Sequence, residues 1–268
     1  MSEASVWIDN TELQSLGVTV KLDSSEPMLP EFRTNTVTVP GRHGAYDFGA
    51  YMDVRQFALN CVLPRKSYTD QKAQIRQFVR LFVDDYGRPK TVKLRFGDEP
   101  DKYYDVKVSG GVPVERLANL GFFTLPLVAH DPLAKFIVPS NDIIMDSNVP
   151  ILSDVIWETG LGSRRVTGPT SFKVINNGTV SIPFSFRLEG RGELISVSIN
   201  GRTLSVKNLS NEVVEIDGDT FVIKFNGNTD MTRMTGSFLE LSPGENTVSV
   251  NGYRLDVRIG ERLVYKYL

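Results

Sequence analysis

Residues able to do chemistry are scarce in this chain. One cysteine, Cys61, and two histidines, His43 and His130, stand among 268 residues. A lone cysteine closes no intrachain disulfide, and so small a stock of Cys and His leaves nothing from which to build structural zinc. In RQFALNCVL, Phe57, Leu59 and Cys61 alternate with Gln56, Ala58 and Asn60. That period places Cys61 on the apolar face of a strand, as a small core residue rather than a nucleophile. The acidic stretch Asp98, Glu99, Asp101 lacks the ordered ligand spacing of a calcium loop and reads as an exposed turn, and His130 reads as a polar strand end. GxSxG, HExxH and GxxxxGK[ST] are all absent, and no strand-turn-helix unit offers glycines to a phosphate. Paired carboxylates for glycoside hydrolysis depend on a spatial separation for which the sequence gives no positive support. The expectation is a protein that is no enzyme and holds no cofactor and no metal.

Thirty Lys and Arg against thirty-two Asp and Glu leave a net charge of −2, so no positive field draws in nucleic acid. The opening MSEASVWIDN lacks the basic-then-apolar order of a secretory signal, and no apolar run approaches the roughly 18 residues of a membrane span. A soluble protein without an export signal is expected.

The most unusual segment is VTVPGRHGAYDFGAY, Val37 to Tyr51, where Gly41, Gly44 and Gly49 are interleaved with Arg42, His43, Tyr46, Asp47, Phe48 and Tyr51. Glycines relieve the backbone while aromatic and charged groups stay available for contact. Two readings stand: a glycine-rich hairpin within one subunit, or an extended arm packing on a neighbouring subunit through Arg42, Tyr46, Asp47 and Phe48.

The elements that must position these residues are mostly short strands, because Val, Ile, Thr, Phe and Tyr recur in alternating runs cut by Gly, Asn, Asp and Pro. Early strands are expected at Gly17–Leu22, Thr36–Val39 and Arg55–Leu63. One helix breaks the rhythm over about 69–86, with Ile75, Phe78, Val79 and Phe82 on its apolar face and Lys72, Arg76 and Arg80 on a solvated one. Ser67 or Thr69 would cap its start; Gly87 and Pro89 would close it. A hairpin follows, Thr91–Phe96 with Tyr103–Val108, then a strand Gly121–His130. Residues 133–168, rich in Pro, Gly, Ser and Asn and holding Gly160, Gly162 and Gly168, read as a linker between a domain over 1–132 and another over 169–268. The latter shows evenly punctuated strands, SFKVINNG, SIPFSFRLEG, LISVSING, TFVIKFNG, GSFLELSPGEN, TVSVNGY and LDVRIG. Asn-Gly pairs at 177–178, 200–201, 226–227 and 251–252 are expected to turn an antiparallel β-sandwich. The fold class is mainly β, in two domains, with one helix in the first.

The combination of PGRHGAYDFG, RQFALNCVL with its following helix, TVKLRFGDEPDKYYDVKVSG, AHDPLAK and the late LSPGENTVSVNG resembles the distal tail protein family of siphophages over nearly the whole chain. The resemblance implies a first domain that assembles into a six-subunit ring and a peripheral, galectin-like sandwich. It implies a structural hub in the virion, assembled in the host cytoplasm, joining the tail tube protein to tail-tip or receptor-binding proteins, with DNA passing only as non-specific cargo and no membrane partner. Fold does not carry function; beyond Thr170 there is neither Trp nor His to stack on or bind a sugar as galectins do, so little lectin activity is expected. Competing readings are a monomeric carbohydrate-binding accessory module for cell-wall attachment, with exposed aromatics, and a cell-wall hydrolase subunit.

Overall fold

The computed structural model describes residues 3–64, 68–117, 120–137 and 163–268. It is mostly strand, with one α-helix, and divides into two compact units, Met1–Ala134 with Leu268, and Lys135–Tyr267. Of the expected linker, 138–162 lie outside the described residues, while Ala134–Phe136 and Arg164–Val166 at its ends are strands.

In the first unit an antiparallel sheet runs Glu3–Ala4, Thr19–Lys21, Arg55–Pro64, Leu120–Ala129, Lys102–Val108, Val92–Phe96, Val6–Ile8 and Thr11–Glu12. Glu3–Ala4 and Val6–Ile8 pair toward opposite ends of that path, yet only Ser5 separates them. The sheet therefore curls round into a barrel that closes at Ser5, whose carbonyl accepts the Gly97 N–H at 2.8 Å. A Cβ at position 97 would lie 2.8 Å from the Ser5 Cβ, so this seam requires glycine. Period-2 patterning holds through the interior: Leu59 faces Leu125, Phe57 faces Leu127 and Cys61 faces Phe123, all buried. Burial pushes the Cys61 thiol up to about 12, which leaves it an inert core group, as its alternation predicts.

The helix spans Tyr68–Val79, shorter than expected. Beyond it, hydrogen bonds from Leu81 to Phe78 and Phe82 to Val79 tighten to i→i−3 spacing. Asp84 then takes the chain over, its carboxylate accepting the N–H groups of Tyr86 and Arg88 at 2.9 and 2.8 Å. Phe78 and Phe82 are nonetheless buried, Phe78 edge-on to Phe123 at 5.4 Å. Ser67 lies outside the described residues.

The second unit is built on one long hairpin, Phe186–Ile199 with Arg202–Asp217. Its turn is Asn200-Gly201, both at positive φ (50° and 79°), the hand that matches strand twist. Asn226-Gly227 turns a shorter hairpin the same way. The other two pairs are not hairpin turns: Asn251-Gly252 lies inside the strand Gly244–Tyr253, held by Ser196 and Ile195 across the ladder, and Asn177-Gly178 follows the strand Thr170–Asn176 without positive φ. The strand Arg202–Asp217 itself, absent from the sequence expectation, is hidden by polar residues that interrupt its alternation.

Along its other edge Phe186–Ile199 pairs in one unbroken register with the consecutive strands Gly244–Tyr253 and Asp256–Glu261, Leu194 facing Tyr253 and Arg191 facing Asp256, and the ladder lapses only at Arg254 and Leu255. At Gly190 (φ 139°) a Cβ would fall 2.2 Å from the Asp256 carbonyl oxygen, and only glycine fits. A bulge sits opposite. Gly190 faces Glu212 and Arg191 faces Ser210, which leaves Asn211 as the extra residue.

The inward series Val257, Ile259, Glu261 ends on a carboxyl that is 4% exposed. Among the described residues neither of its oxygens has a hydrogen-bond partner, and burial pushes it up to about 7. The charge of Arg164 and its own backbone N–H, which lacks hydrogen-bonding geometry, pull the other way. The native state thus keeps a proton that the unfolded chain releases near pH 4.5. Stability on this account is complete below that pH, falls by about 1.4 kcal/mol per unit as pH rises toward 7, and levels off above. Glu261→Gln is expected to match the wild type near pH 4.5 and to exceed it by up to roughly 3 kcal/mol at pH 8, measured by urea unfolding at both pH values; a constant difference would refute the assignment.

Candidate functional site

Two strands stand apart from the barrel. Phe32–Val37 and Tyr46–Met52 form a two-stranded sheet of their own in which every residue is exposed. This arm projects from the first unit without a core face. Thr and Val favour its extended backbone, and its far end turns at Val39-Pro40-Gly41-Arg42, where the Arg42 N–H reaches the Val39 carbonyl at 3.1 Å and Gly41 supplies φ 82°. Proline followed by a positive-φ glycine is the sequence of a type II turn.

The register carries one irregularity. Thr34 faces Ala50 but Thr36 faces Asp47, so Phe48 and Gly49 together oppose Asn35. Asp47 Oδ1 accepts the Gly49 N–H at 2.9 Å and Gly49 takes φ 95°. The bulge leaves Phe48 65% exposed. Arg42 lies over the Tyr46 ring, its guanidinium carbon 4.0 Å from the centroid. All four residues singled out in the sequence are therefore on this arm, in distinct local roles: Arg42 and Tyr46 stack, Asp47 clamps the bulge, and Phe48 is displayed.

Sequence reasoning missed part of the display. More than half of the large apolar side chains exposed among the described residues fall in 28–52, and Met28, Leu29, Phe32 and Met52 among them were not singled out. The signal available was alternation of Phe32, Thr34 and Thr36 opposite Met52 and Ala50. It reads like any half-buried strand, and only the tertiary structure shows that neither face is covered.

Also missed was the group that roots the arm. Arg55 is 4% exposed and continues the inward series of Phe57, Leu59 and Cys61. Its guanidinium donates to the Pro27 carbonyl from Nη2 and Nε at 2.6 and 3.1 Å, to Met28 from Nη2 at 3.0 Å and to Pro132 from Nη1 at 3.4 Å. It packs over the Tyr104 ring at 5.0 Å. Beside it, Glu26 is shifted above the usual carboxylate range, by burial first and then by Asp98. The Asp53 N–H closes the base of the arm on the Glu31 carbonyl at 2.7 Å.

Other sequence candidates lie elsewhere. His130 is exposed just past the strand end, and the helix residues Lys72, Arg76 and Arg80 are exposed. The acidic loop differs from expectation: Asp98 and Glu99 are exposed, but Asp101 is buried beside Lys102, whose ammonium lies 3.1 Å from Glu99 and 3.9 Å from Asp101. Gly160 and Gly162 fall outside the described residues. Among the described residues no group of three or more His, Cys, Asp or Glu is placed to hold a metal, and no helix is long and apolar enough to cross a membrane.

The arm and most of the barrel match a known domain: the model of the phage tail protein RIFT-related domain family covers residues 11–129, leaving out the strands Glu3–Ala4 and Val6–Ile8. Over the whole chain the fold is that of the SPP1 Dit (gp 19.1) protein, described as a paradigm of the hub adsorption apparatus in phages infecting Gram-positive hosts: TM-score 0.71 at 14% identity, covering 100% of both chains. Chains of the phage p2 baseplate in its activated conformation, with Sr and with Ca, match at TM-scores of 0.39 and 0.38 and 11% identity, covering 94% and 95% of this chain and 99% and 100% of theirs. The sequence matches no curated protein. The tail domain and the shared fold bear out the resemblance to siphophage distal tail proteins.

Because the Arg55 fork satisfies carbonyls at the root of this tail domain's arm, Arg55→Met is expected to lower stability by roughly 2–4 kcal/mol, leaving those acceptors unpaired. Chemical unfolding of the two proteins measures it. A loss under about 1 kcal/mol would mean that water replaces the guanidinium.

Proposed function

We propose that this chain is the structural hub at the distal end of a siphophage tail, with six copies closing into a ring that joins the tail tube to the tip or receptor-binding apparatus. The phage tail domain over residues 11–129 and the fold shared with SPP1 Dit support the tail assignment. The observation that carries self-assembly is the arm. A two-stranded hairpin with both faces in water is marginal by itself, and a contiguous apolar display of this kind marks a protein-binding surface. Closed cyclic symmetry gives every arm the same neighbouring patch.

In this reading Phe48, with Tyr46 stacked under Arg42, supplies the desolvated anchor, since aromatic and Arg side chains contribute most per contact at interfaces. Asp47 acts by holding the bulge. The role is mechanical, with no catalytic step, and the second unit is taken as the galectin-like sandwich of this family. The near-neutral charge suits a passage for DNA, because basic walls would retain phosphates. The protein would reside in the virion tail after assembly in the host cytoplasm.

Light scattering on the eluted full-length chain is expected to give six protomers of 29.9 kDa each; a monomer at micromolar concentration would count against the ring. Tyr46→Ala combined with Phe48→Ala is expected to dissociate the ring while the subunit keeps its far-ultraviolet spectrum and a cooperative melt. An intact ring would mean that these two aromatics do not anchor the interface. For domain independence, residues 135–268 expressed alone should fold cooperatively into β structure, because the long hairpin, the strands paired along it and its buried series all lie within that unit. A disordered fragment would refute autonomy.

A further inference from the structure

The helix cations have no part in the hub reading, yet they border an apolar groove of the first unit. The groove has a volume of about 260 Å³ and lies between the helix with its following turn and the segment 108–114. Its floor is the buried interior of the barrel, Leu63 and Phe123 among it. Ile75, Val79 and Pro89 stand on one wall, Val112 and Val114 on the other, and no lining residue is polar. Val79 is 46% exposed and Pro89 is exposed, so the groove is open to solvent. An open apolar strip rimmed by charge marks a binding surface.

The chain itself sets positive charge along that rim. On the helical wall Ile75 is followed by Arg76 and Val79 by Arg80, and beyond the turn Pro89 stands between Arg88 and Lys90. Residues 72–90 expose Lys72, Arg76, Arg80, Arg88 and Lys90 against Asp84 and Asp85. That is a local excess of three positive charges in a chain whose net charge is −2. Asp84 is already engaged by the amides of Tyr86 and Arg88. The side chains of Arg76, Arg80 and Lys90 make no hydrogen bond or ion pair among the described residues. Solvation accounts for cations on a helix, but not for the open apolar strip beside them.

The groove is smaller than the roughly 300–1,000 Å³ of pockets that enclose a whole small molecule, and suits one or two inserted side chains. A nucleic-acid backbone would satisfy the cations and leave the groove empty. A bilayer takes apolar groups that project from a surface, whereas these line a hollow. A peptide segment that carries carboxylates beside apolar side chains answers both features. We propose that this groove docks an acidic segment of a partner protein, which seats apolar side chains against Ile75 and Val79 and sets its carboxylates on Arg76, Arg80 and Lys90. The surface shares no residue with the arm, and the inference is independent of ring closure.

The test is fluorescence anisotropy on the full chain with a labelled peptide of Glu and Asp that carries two Leu and one Phe at helical spacing. Control peptides replace the apolar residues by Ser, or the acidic ones by Lys. The acidic apolar peptide is expected to bind at about 10–100 µM, and both controls about ten-fold more weakly or worse. Arg76→Glu combined with Arg80→Glu should weaken binding about ten-fold or more, as should Val79→Asp. The arginine pair alters only exposed positions, so its outcome stands whether or not Val79→Asp folds. Arg258→Glu, exposed in the second unit, should leave the affinity unchanged. Absence of binding, equal binding of the Ser control, an affinity untouched by the arginine pair, or sedimentation with phosphatidylglycerol vesicles that the arginine pair abolishes would overturn the proposal.

Discussion

A single guanidinium ties together three stretches of the first unit. Arg55 opens the central barrel strand on its inward side, where a charge is tolerated only when its donors are used. They are used on the carbonyls of Pro27, Met28 and Pro132. The entry to the arm, the rim of the barrel and the end of the last long barrel strand's connection thus meet at one planar fork. Lysine, a point charge on a flexible stem, has no such fork to divide among three carbonyls.

The barrel and the arm solve opposite problems. The barrel hides its apolar series and, by closing through Ser5, joins two ends of its sheet that would otherwise be open edges. The arm does neither. Its shape rests on short-range devices, the turn at Pro40-Gly41, the Asp47 clamp and the Arg42–Tyr46 stack, and on its root at Arg55. Its apolar side chains remain in water in the single chain, which is the observation the proposed assembly rests on.

In the second unit the equivalent constraint is steric. Gly190 lets the Asp256 carbonyl approach the backbone of the long central strand, so the ladder runs on from Gly244–Tyr253 to Asp256–Glu261. The fold also carries two costs, a buried carboxyl at Glu261 with no hydrogen-bond partner among the described residues and left-handed backbone at Asn208, Asn211 and Arg254. The first is met by keeping a proton.

Much of this was legible in the chain. Alternation in RQFALNCVL fixed which face of that strand is buried, because side-chain direction has period 2 whatever the partner strand; Cys61 follows from it. Asn200-Gly201 and Asn226-Gly227 were readable as turns because that dipeptide tolerates the needed φ. Asn251-Gly252 misled because the same residues also fit a strand where another backbone comes close, a fact that lives in the partner. The helix ran shorter than its periodicity: past Val79 the bonds of Leu81 and Phe82 tighten to i→i−3, and Asp84 binds the amides of Tyr86 and Arg88 in a turn. Arg42, Tyr46, Asp47 and Phe48 could be picked out as available for contact from their glycine-rich setting. That both faces of their hairpin are bare, that Asp47 is occupied with its own bulge and that Arg55 roots the whole arm were decided only in three dimensions. Exposure and the partners of a buried charge depend on chain segments distant in sequence, whereas local periodicity and turn chemistry depend on neighbours a few residues away.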